Sequence, residues 1–175
     1  TPEFLAKNPN GTIPVLEDGD LVVWETGAIL RYVSSRYGGG AFWPADPAGR
    51  ARIDRWVDWA RASVAPAFVT GLFHALWRTP EPERDAAAIA RDLAASNRLM
   101  AIADAELARH PHLAGPAFTL ADIAFGTFLY RYFTLPIERP DLPALRRYRA
   151  ALEARPAWRE HVMVDYAALK AVPRR

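Results

Sequence analysis

The chain has no cysteine among its 175 residues. That absence excludes disulfides, thiolate metal sites and a cysteine nucleophile within it. Lysine is nearly as scarce, 2 residues against 20 arginines, a bias that reflects genome composition rather than function. The net charge is only +2 and the arginines are scattered. The densest group, Arg146, Arg147 and Arg149, lies near Asp141 and Glu153. A nucleic-acid surface needs tighter clustering, so solvated helix faces and no nucleic-acid partner are expected. No apolar run reaches the roughly 18 residues of a membrane span. The start, Thr1-Pro2-Glu3-Phe4, lacks both Met and a signal-peptide pattern and resembles the middle of a protein. His74, His110, His112 and His161 show no ligand spacing with carboxylates, so no metal is expected.

What is present is a chain rich enough in apolar residues, 51%, to bury a substantial core. Its length fits one domain, or one domain plus a fragment. Phe4 and Leu5, then Pro9-Asn10-Gly11, indicate a short helical end followed by a loop. Thr12 to Leu16 is rich in strand formers, Asp18-Gly19 is a strong hairpin signal, and Leu21 to Trp24 returns. Residues 12–24 therefore read as an antiparallel hairpin, too small to be stable alone. A helix starts at Glu25, with Ile29, Leu30 and Val33 on one side, and ends at Gly38-Gly39-Gly40.

Beyond this the pattern is helical. Ile53, Trp56, Val57, Ala60 and Val64 mark one apolar face, which continues past Pro66 to Trp77 with a kink at the proline. A second long helix spans roughly Glu83 to Ala108, with Ile89, Leu93, Met100 and Leu107 inward. Thr119 suits an N-cap with Asp122 at N3, a capping box, and Phe118 with Ile123 forms a hydrophobic staple. The helix from Leu120 to about Phe133 is apolar nearly all round, as expected of one buried at a domain centre. Leu142 to Ala154 and Pro156 to Val162 complete the bundle.

Two short motifs can carry chemistry. Ile13-Pro14 is an ordinary trans step at a strand start, or a cis turn whose Ile13 backbone N–H and C=O pair with a ligand like one more strand. Glu25-Thr26 is a simple helix cap, or a binding pair. In the second reading the helix N-terminus and the threonine hydroxyl take a carboxylate while the glutamate takes an ammonium group. One end of an α-amino acid carries both charges.

The run Asn8-Pro9-Asn10-Gly11-Thr12-Ile13-Pro14-Val15-Leu16, then Glu25-Thr26-Gly27-Ala28-Ile29-Leu30, resembles the second half of the glutathione-binding domain of the glutathione S-transferase superfamily. Gly115-Pro116-Ala117-Phe118-Thr119-Leu120-Ala121-Asp122-Ile123 resembles that family's helix-initiating motif. The resemblance implies an α/β plus all-α fold. A partial thioredoxin-like domain would cover residues 1–38, a linker 39–48 and an all-helical domain 49–175. It implies glutathione as co-substrate, with Ile13 and a cis Pro14 at the cysteinyl part and Glu25 and Thr26 at the γ-glutamyl end. Thr12 stands where many relatives carry lysine or glutamine for the glycyl carboxylate, and Lys7 is an alternative for that group. Trp59, Ser63 and Phe68 would line the second-substrate side, while Thr119 and Asp122 are structural.

The implied activity is conjugation of the glutathione thiolate to small, apolar electrophiles by a bacterial, cytoplasmic, homodimeric detoxification enzyme. The group that ionises the thiol lies, by the same resemblance, some 40–50 residues upstream of Thr1, about one βαβ unit. No Tyr or Ser of this chain replaces it. The rivals are a glutathione-dependent dehalogenase, isomerase, peroxidase or disulfide reductase, and a non-catalytic interaction module with this fold.

Overall fold

The computed structural model describes residues 1–171. It opens with α1 (Pro2–Lys7), which Thr1 caps by accepting from the Phe4 N–H. Strands β1 (Val15–Asp18) and β2 (Leu21–Trp24) pair antiparallel, with Val15 opposite Trp24 and Asp18 opposite Leu21. The hairpin is shorter than the span 12–24, since the ladder begins only after Pro14, which has no N–H to offer it. Asp18 closes β1, and the turn is Gly19-Asp20 with Gly19 at φ 59°. Helix α2 (Thr26–Tyr37) follows at once.

The segment 38–46 is anchored rather than loose. The Leu120 N–H donates to the Phe42 carbonyl at 3.1 Å, Trp43 Nε1 donates to Asp54 at 3.2 Å, and Arg50 Nε donates to the Pro44 carbonyl at 2.7 Å. Asp46 caps α3 (Pro47–Trp59) by accepting from the N–H groups of Ala48 and Gly49. The helix runs on unbroken through Ala60–Arg78 in wider, π-type turns. Pro66 lies inside that stretch and does not end it, as expected.

Helix α4 (Ala86–Leu107) begins three residues later than Glu83, because Glu81–Glu83 form a separate 3₁₀ turn and Asp85 provides the cap. It packs along Ala60–Arg78. The central helix is two pieces, α5 (Leu120–Gly126) and α6 (Leu129–Thr134), rather than one from 120 to 133. Thr127 Oγ1 donates back to the Ala124 carbonyl, and the Phe128 N–H takes the Phe125 carbonyl at 3.1 Å, a tighter turn that interrupts the α pattern. Helices α7 (Pro143–Glu153) and α8 (Pro156–His161) lie within one residue of their expected bounds.

The core lies in the helical part. Val57, Val64, Phe68, Leu72, Met100, Phe125, Leu129, Tyr132 and Leu145 are fully enclosed. Asp122 is enclosed with them at 0% exposure. The capping box is complete: Thr119 Oγ1 accepts from the Ala121 N–H, and Asp122 accepts from the Thr119 N–H at 2.8 Å. Asp122 also takes the Leu113 N–H at 3.1 Å and the Tyr148 hydroxyl at 2.8 Å. Burial and the neighbouring carboxylate push the Tyr148 phenol well above its usual range.

Candidate functional site at the start of α2

Asn8 organises the loop that carries Thr12 and Ile13. It is 2% exposed; its Nδ2 donates to the Thr12 carbonyl at 2.6 Å, and its Oδ1 accepts from the backbone and side chain of Asn10 at 3.0 Å. The Ile13–Pro14 peptide is cis. The Ile13 side chain is 85% exposed, and its N–H and C=O make no hydrogen bond among the described residues. Thr12 is exposed beside it. Lys7 is engaged elsewhere: its Nζ lies 2.9 Å from Glu17 and 3.9 Å from Glu3, and the Glu17 hydrogen bond raises its pKa.

Glu25 connects β2 to α2 at φ 74°, ψ 118°, a left-handed-side conformation that a side chain adopts only under strain of about 1–3 kcal/mol. Its carboxylate does not cap the helix; α2 has no side-chain cap at its N-terminus. The carboxylate instead pairs with Arg61, from the stretch Ala60–Arg78. Gly27, one residue into α2, is buried, and a methyl group there would collide with the Arg61 guanidinium. Glycine is what lets that cation approach the helix end. Thr26 is exposed at the first helical position. The uncapped N–H groups and the dipole at this end favour an anion.

Behind the site, Asp18 accepts from the hydroxyls of Tyr32 at 2.7 Å and Tyr37 at 2.5 Å, tying the hairpin tip to α2. Arg31 donates to Asp54 at 2.7 Å and Asp58 at 2.8 Å, tying α2 to α3.

A cleft of about 410 Å³ opens beside Thr26. Its lining includes Arg61, Ala65 and Val69 from the long helix, with Ala124 and Phe128 opposite. Trp59, Ser63 and Phe68 are not among its lining residues. Phe68 is fully buried, its ring 5.8 Å from that of Tyr132, and so reaches no cleft. Trp59 packs between Trp56 and Phe125 at 5.1 and 5.5 Å. Ser63 is half-buried. The residues facing the cleft are offset from those three around the helix. The sequence marked the apolar stripe correctly but not which of its edges meets α2. Arg61, a cation bordering that stripe and following Ala60 directly, is the sequence signal for that edge.

Residues 1–35 match the family model described as glutathione S-transferase, N-terminal domain, and residues 58–156 match the one described as glutathione S-transferase, C-terminal domain. The chain is 40% identical over 164 residues to glutathione S-transferase GstB of Escherichia coli, covering 93% of this chain and 78% of that protein. The chain belongs to the glutathione S-transferase family. Among solved structures, the theta class glutathione S-transferase of Xanthomonas axonopodis pv. citri with glutathione bound is 47% identical at a TM-score of 0.89. That match covers 94% of this chain and 79% of the other. The family fold also occurs inside longer proteins. Elongation factor 1-gamma 1 of Oryza sativa is 31% identical over 180 residues, 99% of this chain but 41% of its own length.

The fold is therefore the expected one, a thioredoxin-like portion followed by a helical part. Among the described residues no helix is long and apolar enough to cross a membrane, and no cluster of metal-ligating side chains occurs.

Proposed function

We propose that this chain holds glutathione at the start of α2 and serves transfer of its sulfur to small, apolar electrophiles. The observation that carries this reading is the α2 N-terminus: its first-turn N–H groups lack a side-chain cap, Thr26 stands exposed, and Glu25 is turned aside at positive φ to meet Arg61. The γ-glutamyl carboxylate takes the helix N–H groups and the Thr26 hydroxyl. Its ammonium group takes Glu25, which then shares its charge between the ligand and Arg61. The cysteinyl backbone pairs with the free N–H and C=O of Ile13, Pro14 shapes that turn, and Thr12 lies toward the glycyl end. Lys7 is spent on Glu17 and is not part of this set.

With glutathione so held, its sulfur lies at the interdomain cleft. The thiol gives its proton to solvent. The thiolate forms a carbon–sulfur bond, and the leaving group departs with its electron pair. The chain's own contribution is binding and orientation, which convert a bimolecular encounter into a positioned one. A division at 39–48, a homodimer, a cytoplasmic site of action and a detoxifying role belong to the same reading. The separate family matches to 1–35 and 58–156 support the division. Exposed Val33 and Tyr37 on α2 offer apolar surface to a second copy.

Calorimetry of glutathione binding tests the reading. Glu25→Ala should weaken binding at least tenfold, about 1.4 kcal/mol, with the fold unchanged. A folded protein that binds no glutathione overturns it and leaves the non-catalytic module as the better account.

A further inference from the structure

The cleft beside Thr26 does not end at Phe128. A second cavity of about 490 Å³ shares Val69, Thr127 and Phe128 with it and continues toward α8 and the segment 161–169. One groove thus leads from the start of α2, over an apolar floor, to a different polar end. That end holds Arg131, in the last turn of α6.

Arg131 is unusual among the chain's arginines. It is half-buried, and its guanidinium is held by rings: 4.8 Å from the Phe73 centroid and 5.8 Å from that of Tyr166. Those rings are fixed. Phe73 is 1% exposed and Tyr166 9%; Trp77 Nε1 donates to the Tyr166 carbonyl at 3.0 Å, and the Tyr166 hydroxyl lies 2.8 Å from Thr134 Oγ1. Among the described residues Arg131 pairs with no carboxylate, and its side chain donates no hydrogen bond. A guanidinium carries five N–H donors, and stacking on ring faces uses none of them. Burial first, then the charges of Arg78 and Arg131, hold His74 below its usual pKa. Asp165 also lines the cavity, but one of its oxygens is occupied by the Ala167 N–H at 2.9 Å. His161 lines it too, exposed and 3.9 Å from Glu160.

We propose that Arg131 determines second-substrate specificity, selecting apolar electrophiles that carry a carboxylate or sulfonate at the end remote from the reacting carbon. This rests on the glutathione reading above. The reacting end lies near Thr26, the apolar body covers Ala65, Val69 and Phe128, and the anion meets the unfilled donors of Arg131.

Two glutathione conjugates of equal chain length separate the possibilities: S-hexylglutathione and S-(5-carboxypentyl)glutathione. Both are titrated calorimetrically, with glutathione itself, into the wild-type protein, Arg131→Gln and Arg131→Lys. The carboxylate-ended conjugate should bind the wild type at least tenfold more tightly than the methyl-ended one, a preference that shrinks as salt rises. Arg131→Gln should abolish the preference and Arg131→Lys keep part of it, with glutathione affinity equal in all three. Should Arg131→Gln fail to fold, the wild-type preference and its salt dependence still decide. A wild type that binds both conjugates alike, or prefers the methyl end, overturns the role of Arg131 while leaving glutathione binding intact. A folded wild type that binds no glutathione overturns both.

Discussion

Among the described residues, the first 37 enclose only small and polar side chains, whereas the helical remainder encloses large apolar ones. Before α3, the buried residues are Asn8, Gly27 and Ser34, and no large apolar side chain is enclosed. From Ile53 onward the buried residues include Phe68, Phe73, Phe125, Tyr132 and a continuous set of aliphatic side chains. The first part carries the proposed glutathione contacts and the second carries the core. Two ion-pair links, Arg31 to Asp54 and Asp58 and Glu25 to Arg61, join them, and Leu30 packs against the helical core. Thr26 and Glu25 are exposed, so their side chains can be altered with small cost to folding.

The strongest way to break that contrast is Asp122→Ala. The substitution removes the acceptor for the N–H groups of Leu113 and Thr119 and for the Tyr148 hydroxyl, all in an enclosed site. Each unpaired buried group costs about 1–3 kcal/mol, so a loss of about 4 kcal/mol is expected. Thr119→Ala, which removes the cap acceptor and the hydroxyl's 3.3 Å bond to Asp122, should cost about 1 kcal/mol. Urea denaturation reads both as a lowered midpoint at unchanged slope. Glutathione affinity of the folded fraction should not move. A loss below about 1 kcal/mol for Asp122→Ala would mean the buried network does not govern the core.

Much of this contrast was legible in the sequence. The Thr119–Asp122 spacing announces a capping box because the reciprocal hydrogen bonds need the two side chains three positions apart, a purely local rule. The hairpin and the start of α2 were legible for the same reason: turn chemistry at Gly19 and Pro14 acts over two or three residues. The failures concern relations between distant segments. Periodicity shows that Trp59 and Phe68 lie on apolar faces, but not that Phe125 and Tyr132 occupy those faces. The break between α5 and α6 depends on Thr127 bonding back to Ala124, a choice that composition does not reveal. Arg61 was missed because its partner, Glu25, is 36 residues away.

The seam itself is sharpened by Arg61→Ala. Arg61 neutralises Glu25 and lies against the α2 N-terminus near Gly27, so it both orients the glutamate and adds positive charge where a carboxylate would dock. Glutathione should bind about fivefold more weakly to the variant, roughly 1 kcal/mol, a smaller loss than for Glu25→Ala. The side chains are partly exposed, so stability should change by less than 1 kcal/mol. Tighter binding by Arg61→Ala would show the opposite relation, with Arg61 competing with the ligand for Glu25.

The smallest effect concerns how the hairpin is tied to α2 without a core. The hydroxyls of Tyr37 and Tyr32 both donate to Asp18, and these bonds, Tyr37 first, hold its pKa below 3.8. The same bonds raise both phenols above 10.0. A carboxylate whose pKa is lower in the folded state contributes stability that is fully present above its unfolded value. That contribution fades as pH falls through the folded value. The link between hairpin tip and α2 should therefore hold at neutral pH and loosen only in acid, below about pH 4. Carbon-13 titration of the Asp18 carboxyl should place the wild-type midpoint below 3.8, and Tyr37→Phe should move it back toward that value. Over the same range the amide protons of Tyr32 and its neighbours in α2 should exchange faster in Tyr37→Phe, while those of α4 and α5 stay as protected as before. An Asp18 midpoint at or above 3.8 in the wild type would remove the tyrosine pair as the tie.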